Sequence, residues 1–188
     1  MYGDTWGYLL GYISYWVIWC IPVSILFLNK KLFGMWGIPA VSAKKKAHWI
    51  AAAFVALPVF ATGLAVFPQY APSAGWKVIL LALFFALVNA PLEELLWRGV
   101  FSTVFPQSLL LGYLYPTLCF GAWHLAPALA KDSGMEGGIA GFVGGALFMG
   151  CLWGWYAYRY KTILPTTVSH VLTNFFAFTG FLFVNWFA

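Results

Sequence analysis

The 188 residues are 63% hydrophobic and only 8% charged, whereas an ordinary soluble domain is about a quarter charged. So few solvating groups cannot cover a water-facing surface, and the apolar and aromatic mass is far too great for disorder, so a soluble monomer and an unfolded chain are both excluded. The net charge of +5 is scattered through short loops rather than gathered on one basic face, which leaves no nucleic-acid partner and points to a chain whose solvent is the lipid bilayer.

In chain order, six apolar segments emerge, from about Gly7 to Leu28, His48 to Phe67, Trp76 to Phe105, Ser108 to Ala130, Gly137 to Tyr158 and Ile163 to Trp186. The fold class expected is all-α, a polytopic membrane helical bundle of about six transmembrane helices. It forms a single domain over 1–188, with peripheral helices at about 7–67 and a motif-bearing core at about 76–188. The first segment follows no basic start and no small-residue cleavage site, so it is expected to stay in the mature chain. Trp6, Trp36, Trp49, Trp76, Trp155 and Trp186 sit near segment ends, as interfacial aromatic belts require. Cys20, Cys119 and Cys151 fall inside apolar runs without CxxC or metal-ligand spacing, so buried free thiols are expected.

Loop charge sets the orientation. Lys30, Lys31, Lys44, Lys45 and Lys46 flank one loop, and Arg159 and Lys161 lie in another. The opposite side has Lys77 and Lys131 beside Asp4, Asp132 and Glu136. By the positive-inside rule the lysine loops are cytoplasmic and both termini are not. In the fifth segment Gly137, Gly141 and Gly145 recur every four residues and are followed by Gly150 and Gly154, a spacing that lets helix backbones approach closely. Packing within the bundle is favoured over dimerisation. No long internal repeat supports an inverted-repeat transporter.

Polar groups inside spans are the informative ones, since each charge at mid-membrane costs ~2.5–3.5 kcal/mol on insertion scales. The third segment holds Glu93, Glu94 and Arg98 in Pro91-Leu-Glu-Glu-Leu-Leu-Trp-Arg-Gly99. Glu94 and Arg98 are four apart and share a helix face, so they can pair, while Glu93 is turned away by about 100°. The bland reading is a charge cluster snorkelling to water. The fourth segment adds His124 after Phe120, and the sixth adds His170 and Asn174 on one face. Either alone reads as interhelical glue. Together, three helices bring polar groups to one cavity. A glutamate and a histidine around a water make a general base, and a histidine with an asparagine amide offers oxyanion donors. No serine or cysteine is placed for covalent attack. Glu93, His124 and His170 are also types that hold zinc, although there is no HExxH.

Glu93-Glu94-xxx-Arg98, Phe120-xxx-His124 and His170-xxx-Asn174, in this order, resemble the CPBP (Abi) family of intramembrane proteases. That family includes CAAX prenyl proteases of the Ras-converting type and bacterial bacteriocin-processing or immunity proteins. The resemblance covers about Trp76 to Phe176, and Trp97 stands where the family often has Phe or Tyr. It implies a glutamate-dependent endopeptidase acting on a membrane-associated peptide, including prenylated CAAX-type substrates. Glu93 and His124 would activate water, His170 and Asn174 would hold the oxyanion, and Glu94, Arg98 and Phe120 would support the geometry. No cofactor is predicted, with zinc left open. The expected location is a prokaryotic cytoplasmic membrane, with the cavity opening toward the cytoplasmic half. The alternatives are a catalytically silent scaffold, immunity factor or subunit of a larger complex, and a proton-coupled transporter using Glu93 and His124 as a relay. Depth raises one difficulty. Glu93 lies ~15 Å in from its helix end and His124 ~24 Å in from Ser108. Pro116 is therefore expected to break the fourth segment, leaving His124 only ~12 Å deep.

Overall fold

The computed structural model describes residues 2–38, 46–131 and 137–188. Lys44, Lys45, Asp132 and Glu136, on which part of the orientation rests, lie outside the described residues, as do the side chains of Asp4 and Lys46. The described residues are helical with no strand. Five helices are long and apolar enough to cross a membrane: α1 (Trp6–Lys31), α2 (Ala47–Ala65), α3 (Phe67–Val104), α6 (Gly138–Tyr160) and α7 (Leu164–Phe187). Between α3 and α6 lie two short helices, α4 (Tyr115–Trp123) and α5 (Leu125–Ala130).

Among the described residues five of the six expected segments form such spans, and the fourth is broken. The break is at His124 rather than Pro116. Pro127 has no N–H to give the Trp123 carbonyl and would crowd it, and the His124 N–H turns back to Gly121 instead, at 3.1 Å. Pro116 follows a π-helical turn, Leu110–Leu114, and the backbone continues through it in helical geometry. The depth difficulty disappears for another reason. A Cβ on Gly112 would collide with the Phe105 carbonyl, the Tyr115 ring lies 5.9 Å from Phe101, and Phe120 lies 6.4 Å from Trp97. Each step back along α3 is matched by a step forward into α4. The chain below Val104 descends as far as the next segment starts, and this antiparallel register brings His124 level with the two glutamates.

Prolines and glycines shape the rest. At Gly75 the backbone takes φ 71°, ψ 165°, a conformation open to glycine, and this bend separates a short leading helix from the main body of α3. Pro58 interrupts α2: the Val59 N–H bonds Ala56 at 3.0 Å, which frees the Val55 carbonyl. That carbonyl accepts from Trp153 Nε1 at 3.1 Å and Ser169 Oγ at 2.6 Å, tying α2 to α6 and α7 beside the site.

Gly137 and Gly145 of the glycine stripe do not meet another helix. Gly137 caps the helix with φ 85°, and Gly145 faces open space. The close approach is made further along. A Cβ on Gly150 would lie 3.2 Å from Phe120, and one on Gly154 would lie 2.8 Å from Thr117 Oγ1. The small residues in close contact are those on the face that meets α4, while Gly145 lines a cavity. All three cysteines are free, but only Cys20 is buried; Cys151 is exposed. Trp6, Trp49, Trp76 and Trp155 are exposed on the bundle's outside, whereas Trp36 is tucked in, donating to Thr167 Oγ1 at 3.0 Å.

Candidate active site

Two carboxylates lie side by side at the core of the bundle. Glu93 is 1% exposed and Glu94 is 0%. Directly after them α3 widens into a π-helical turn, Leu95–Val100; such turns recur at functional sites. Glu94 is the more heavily compensated. Arg98 Nη1 lies 3.2 Å from its Oε1, the i,i+4 pair expected from the sequence. Thr166 Oγ1 donates to Oε2 at 2.7 Å, and His170 Nδ1 lies 3.0 Å from Oε1. Neither terminal nitrogen of Arg98 finds a well-aligned hydrogen-bond acceptor among the described residues. Charge and ring faces hold it: its guanidinium carbon sits 3.9 Å from the Phe120 ring centroid and 5.6 Å from that of Trp153. This buried pair replaces the snorkelling cluster, since Arg98 is only 3% exposed.

Glu93 has a different environment. Asn89 Nδ2 donates to its Oε2 at 3.0 Å, and Trp16 Nε1 donates to Asn89 Oδ1 at 2.8 Å. The indole donor fixes which way the amide points, since only the amide oxygen can accept it. His170 Nε2 lies 3.5 Å from Glu93 Oε2, so one imidazole spans both carboxylates. Trp153 covers that imidazole, with ring centroids 4.4 Å apart.

His124, at the break between α4 and α5, lies 4.6 Å from the Phe120 ring. Its Nδ1 is 2.8 Å from the Phe120 carbonyl. A carbonyl only accepts, so Nδ1 carries the proton, and in the neutral ring Nε2 keeps its lone pair. His124, Asn89, Thr173 and Asn174 line the inner end of a cavity of about 440 Å³. Asn174 Nδ2 and Thr173 Oγ1 are buried there without hydrogen-bond partners among the described residues. His170 does not line this cavity.

The structure therefore gathers Glu93, Glu94, Arg98 and His170 into one network, with Phe120 against the Arg98 guanidinium and near both histidines. His124 and Asn174 face the adjoining cavity. Asn89, Trp16, Thr166 and Trp153 were missed from sequence. Asn89 stands four residues before Glu93, so the spacing rule that paired Glu94 with Arg98 would have found it, whereas Thr166 reaches Glu94 from another helix. The cavity's exposed rim, at Gln69 and Val184, lies at the end away from Lys30, Lys31 and Arg159, not toward them as expected. Among the described residues no group of three His, Cys, Asp or Glu side chains is gathered closely enough to hold a metal ion. Both nitrogens of His170 face carboxylates, Glu94 at 3.0 Å and Glu93 at 3.5 Å, and His124 turns to the cavity instead.

A family model described as type II CAAX prenyl endopeptidase Rce1-like matches residues 75–176, more than half of the chain. The matched stretch holds every acidic, basic and imidazole group of the site. No curated protein and no solved structure matches the chain.

Proposed function

The chain belongs to the Rce1-like family of type II CAAX prenyl endopeptidases, and on that premise we propose that it is an intramembrane endopeptidase in which Glu93 and His124 activate a water against a substrate peptide bond. The observation that carries this reading is the Asn174 amide, a buried donor without a partner among the described residues, lining the same cavity as His124 and Asn89. An unsatisfied buried donor costs ~1–3 kcal/mol, and the oxyanion of a tetrahedral intermediate is the acceptor it lacks. Glu93 takes a proton from the water as its oxygen adds to the carbonyl carbon. The carbonyl oxygen becomes negative and accepts from Asn174 Nδ2, with Thr173 Oγ1 beside it. As the C–N bond breaks, Glu93 returns the proton to the departing amine. The His124 Nε2 lone pair orients the water. His170 holds Glu93 and Glu94 in one arrangement, and Arg98 neutralises Glu94. The ligand chemistry uses these side chains and water, with no step through a metal. The substrate is a membrane-associated peptide, with a prenylated CAAX-type peptide the first to test.

The experiment is cleavage by purified protein of prenylated and unprenylated peptides, compared with Glu93→Gln and His124→Ala. Each substitution is expected to lower the rate by ~10²–10⁴-fold, and a chelator is expected to leave the parent rate unchanged. Cleavage that survives both substitutions overturns the mechanism.

A further inference from the structure

His124 sits where the backbone holds it least. Pro127 removes the helical bond to the Trp123 carbonyl, and the His124 N–H turns back to Gly121 at 3.1 Å. The direction of the imidazole is therefore left to side chains and their contacts. One restraint is the Phe120 carbonyl, 2.8 Å from Nδ1. The other acts on the residue before it. Trp123 lies face to face with Tyr15 of α1, their ring centroids 3.9 Å apart and their planes 20° from parallel. Tyr15 is 4% exposed, and its hydroxyl accepts from Trp97 Nε1 at 2.6 Å. Trp97 in turn meets Phe120 edge-on at 6.4 Å, and Phe120 lies 4.6 Å from the His124 ring. Trp97, Tyr15, Trp123, His124 and Phe120 thus close a ring of contacts about the break between α4 and α5.

Local backbone geometry brings the parts of this ring together. Tyr15 opens a π-helical turn within α1, Tyr15–Cys20, and Trp97 lies in the π-helical turn of α3, Leu95–Val100. The hydrogen bond from Trp97 to Tyr15 joins the two turns beside the carboxylates; such turns are rare and recur at functional sites. The next residue, Trp16, donates to Asn89 Oδ1 at 2.8 Å, and Asn89 donates to Glu93 at 3.0 Å. Adjacent residues of one turn therefore reach both arms of the site, Tyr15 toward His124 and Trp16 toward Glu93. We propose that Tyr15 is a positioning residue: its ring, held by Trp97, fixes Trp123 and so aims the His124 imidazole into the cavity it shares with Asn89 and Asn174. That this imidazole orients a water rests on the peptidase reading; its placement rests on the contacts alone. Without the stack the ring leaves the Phe120 carbonyl, and the neutral imidazole exchanges between its two tautomers.

The test is nitrogen-15 NMR of the full chain in detergent micelles, labelled at its three histidines and recorded at alkaline pH, where imidazole is neutral. His124→Gln assigns the His124 signals by their loss. In the parent the two ring nitrogens of His124 are expected to give well-separated signals, one from protonated Nδ1 and one from unprotonated Nε2. In Tyr15→Leu these are expected to move toward each other, as a tautomer mixture requires. The His48 signals are expected to stay, since His48 packs against Trp49, Tyr156 and Tyr160. Tyr15→Phe keeps the ring and is expected to keep the parent spectrum. Trp123→Leu, which removes the other face of the stack, replaces Tyr15→Leu if that variant fails to fold. With peptide, Tyr15→Leu is expected to lower kcat by ~10²-fold with KM little changed, and Tyr15→Phe to stay within about tenfold of the parent. Unshifted His124 signals in a folded variant that lacks the stack overturn the proposal, as does a Tyr15→Phe variant as impaired as Tyr15→Leu. Shifted signals with no peptide cleaved by the parent count for the positioning role and against the peptidase reading. Cleavage that needs Glu93 and His124, with rate and signals unmoved in Tyr15→Leu, does the reverse.

Discussion

Replacing Arg98 with methionine isolates what holds the carboxylate pair. The side chain is 3% exposed, and its partner Glu94 is 0% exposed. Removing one member of a buried ion pair leaves a charge without compensation, at ~3–5 kcal/mol. The guanidinium also leaves the Phe120 ring, 3.9 Å away, a contact worth up to ~2 kcal/mol when desolvated. Working against these losses, methionine occupies similar volume, and Glu94 keeps Thr166 at 2.7 Å and His170 at 3.0 Å. The net expectation for Arg98→Met is a loss of ~3–5 kcal/mol, measured by reversible denaturation in mixed detergent with far-ultraviolet circular dichroism. Adding Glu94→Gln removes the stranded charge, and the double variant recovers a coupling energy of ~1–3 kcal/mol. A loss below ~1 kcal/mol, the value of a solvated pair, with no coupling would refute the reasoning. Arg98 would then be reaching water, as a snorkelling side chain does.

Asn174→Ala is expected to lower kcat by ~10²–10³-fold with KM little changed; full kcat would remove the oxyanion role. Gly154→Ala places a Cβ 2.8 Å from Thr117 Oγ1 and is expected to cost ~1–3 kcal/mol in unfolding. Gly145→Ala faces open space and should be near neutral by the same measurement; equal costs would contradict the packing face assigned to α6. Trp16→Phe deletes the donor that orients Asn89 and is expected to slow cleavage about tenfold, the weight of one hydrogen bond. Steady-state kinetics on folded protein, normalised by active fraction, checks it, and an unchanged rate would reduce Trp16 to packing.

The site was legible because the solvent is lipid. In a chain with so few charges, Glu93, Glu94 and Arg98 inside an apolar run demand compensation, and the i,i+4 rule names Arg98 as the partner of Glu94. Four-residue spacing says nothing about what another helix brings, so Thr166 and Trp153 were not foreseen, although Asn89 lay within reach of that rule. The fourth segment was misread because hydropathy does not locate the bottom of a loop. Glu93 was counted from an end near Val104, while the chain descends further before turning. Hydropathy gives Pro58 no special place in the segment from His48 to Phe67, yet by freeing the Val55 carbonyl it supplies the acceptor for Trp153 and Ser169. The glycines of α6 divide for a related reason: spacing marks Gly145, Gly150 and Gly154 alike, but not that a cavity lies opposite the first and α4 opposite the other two.

The two glutamates are adjacent in sequence and equally buried, yet their surroundings divide them. Glu94 meets a guanidinium, a threonine hydroxyl and the near nitrogen of His170. Such a carboxylate is fully engaged, and drawing it into proton transfer would strand Arg98 in the core. Glu93 meets the Asn89 amide and the far nitrogen of His170 at 3.5 Å, and Asn89 itself lines the cavity. Helical rotation of about 100° per residue is enough to send one carboxylate toward α7 and Arg98 and the other toward Asn89 and α1. That asymmetry is why Glu93 rather than Glu94 is proposed as the base. Because His170 lies 3.0 Å from Glu94 and 3.5 Å from Glu93, one imidazole fixes the positions of both carboxylates. The π-helical turn after Glu94 belongs to the same arrangement: its Leu95 and Val100 pack with Leu28, Ala157 and Ile163, so the turn that follows the carboxylates anchors α3 to α1, α6 and the start of α7.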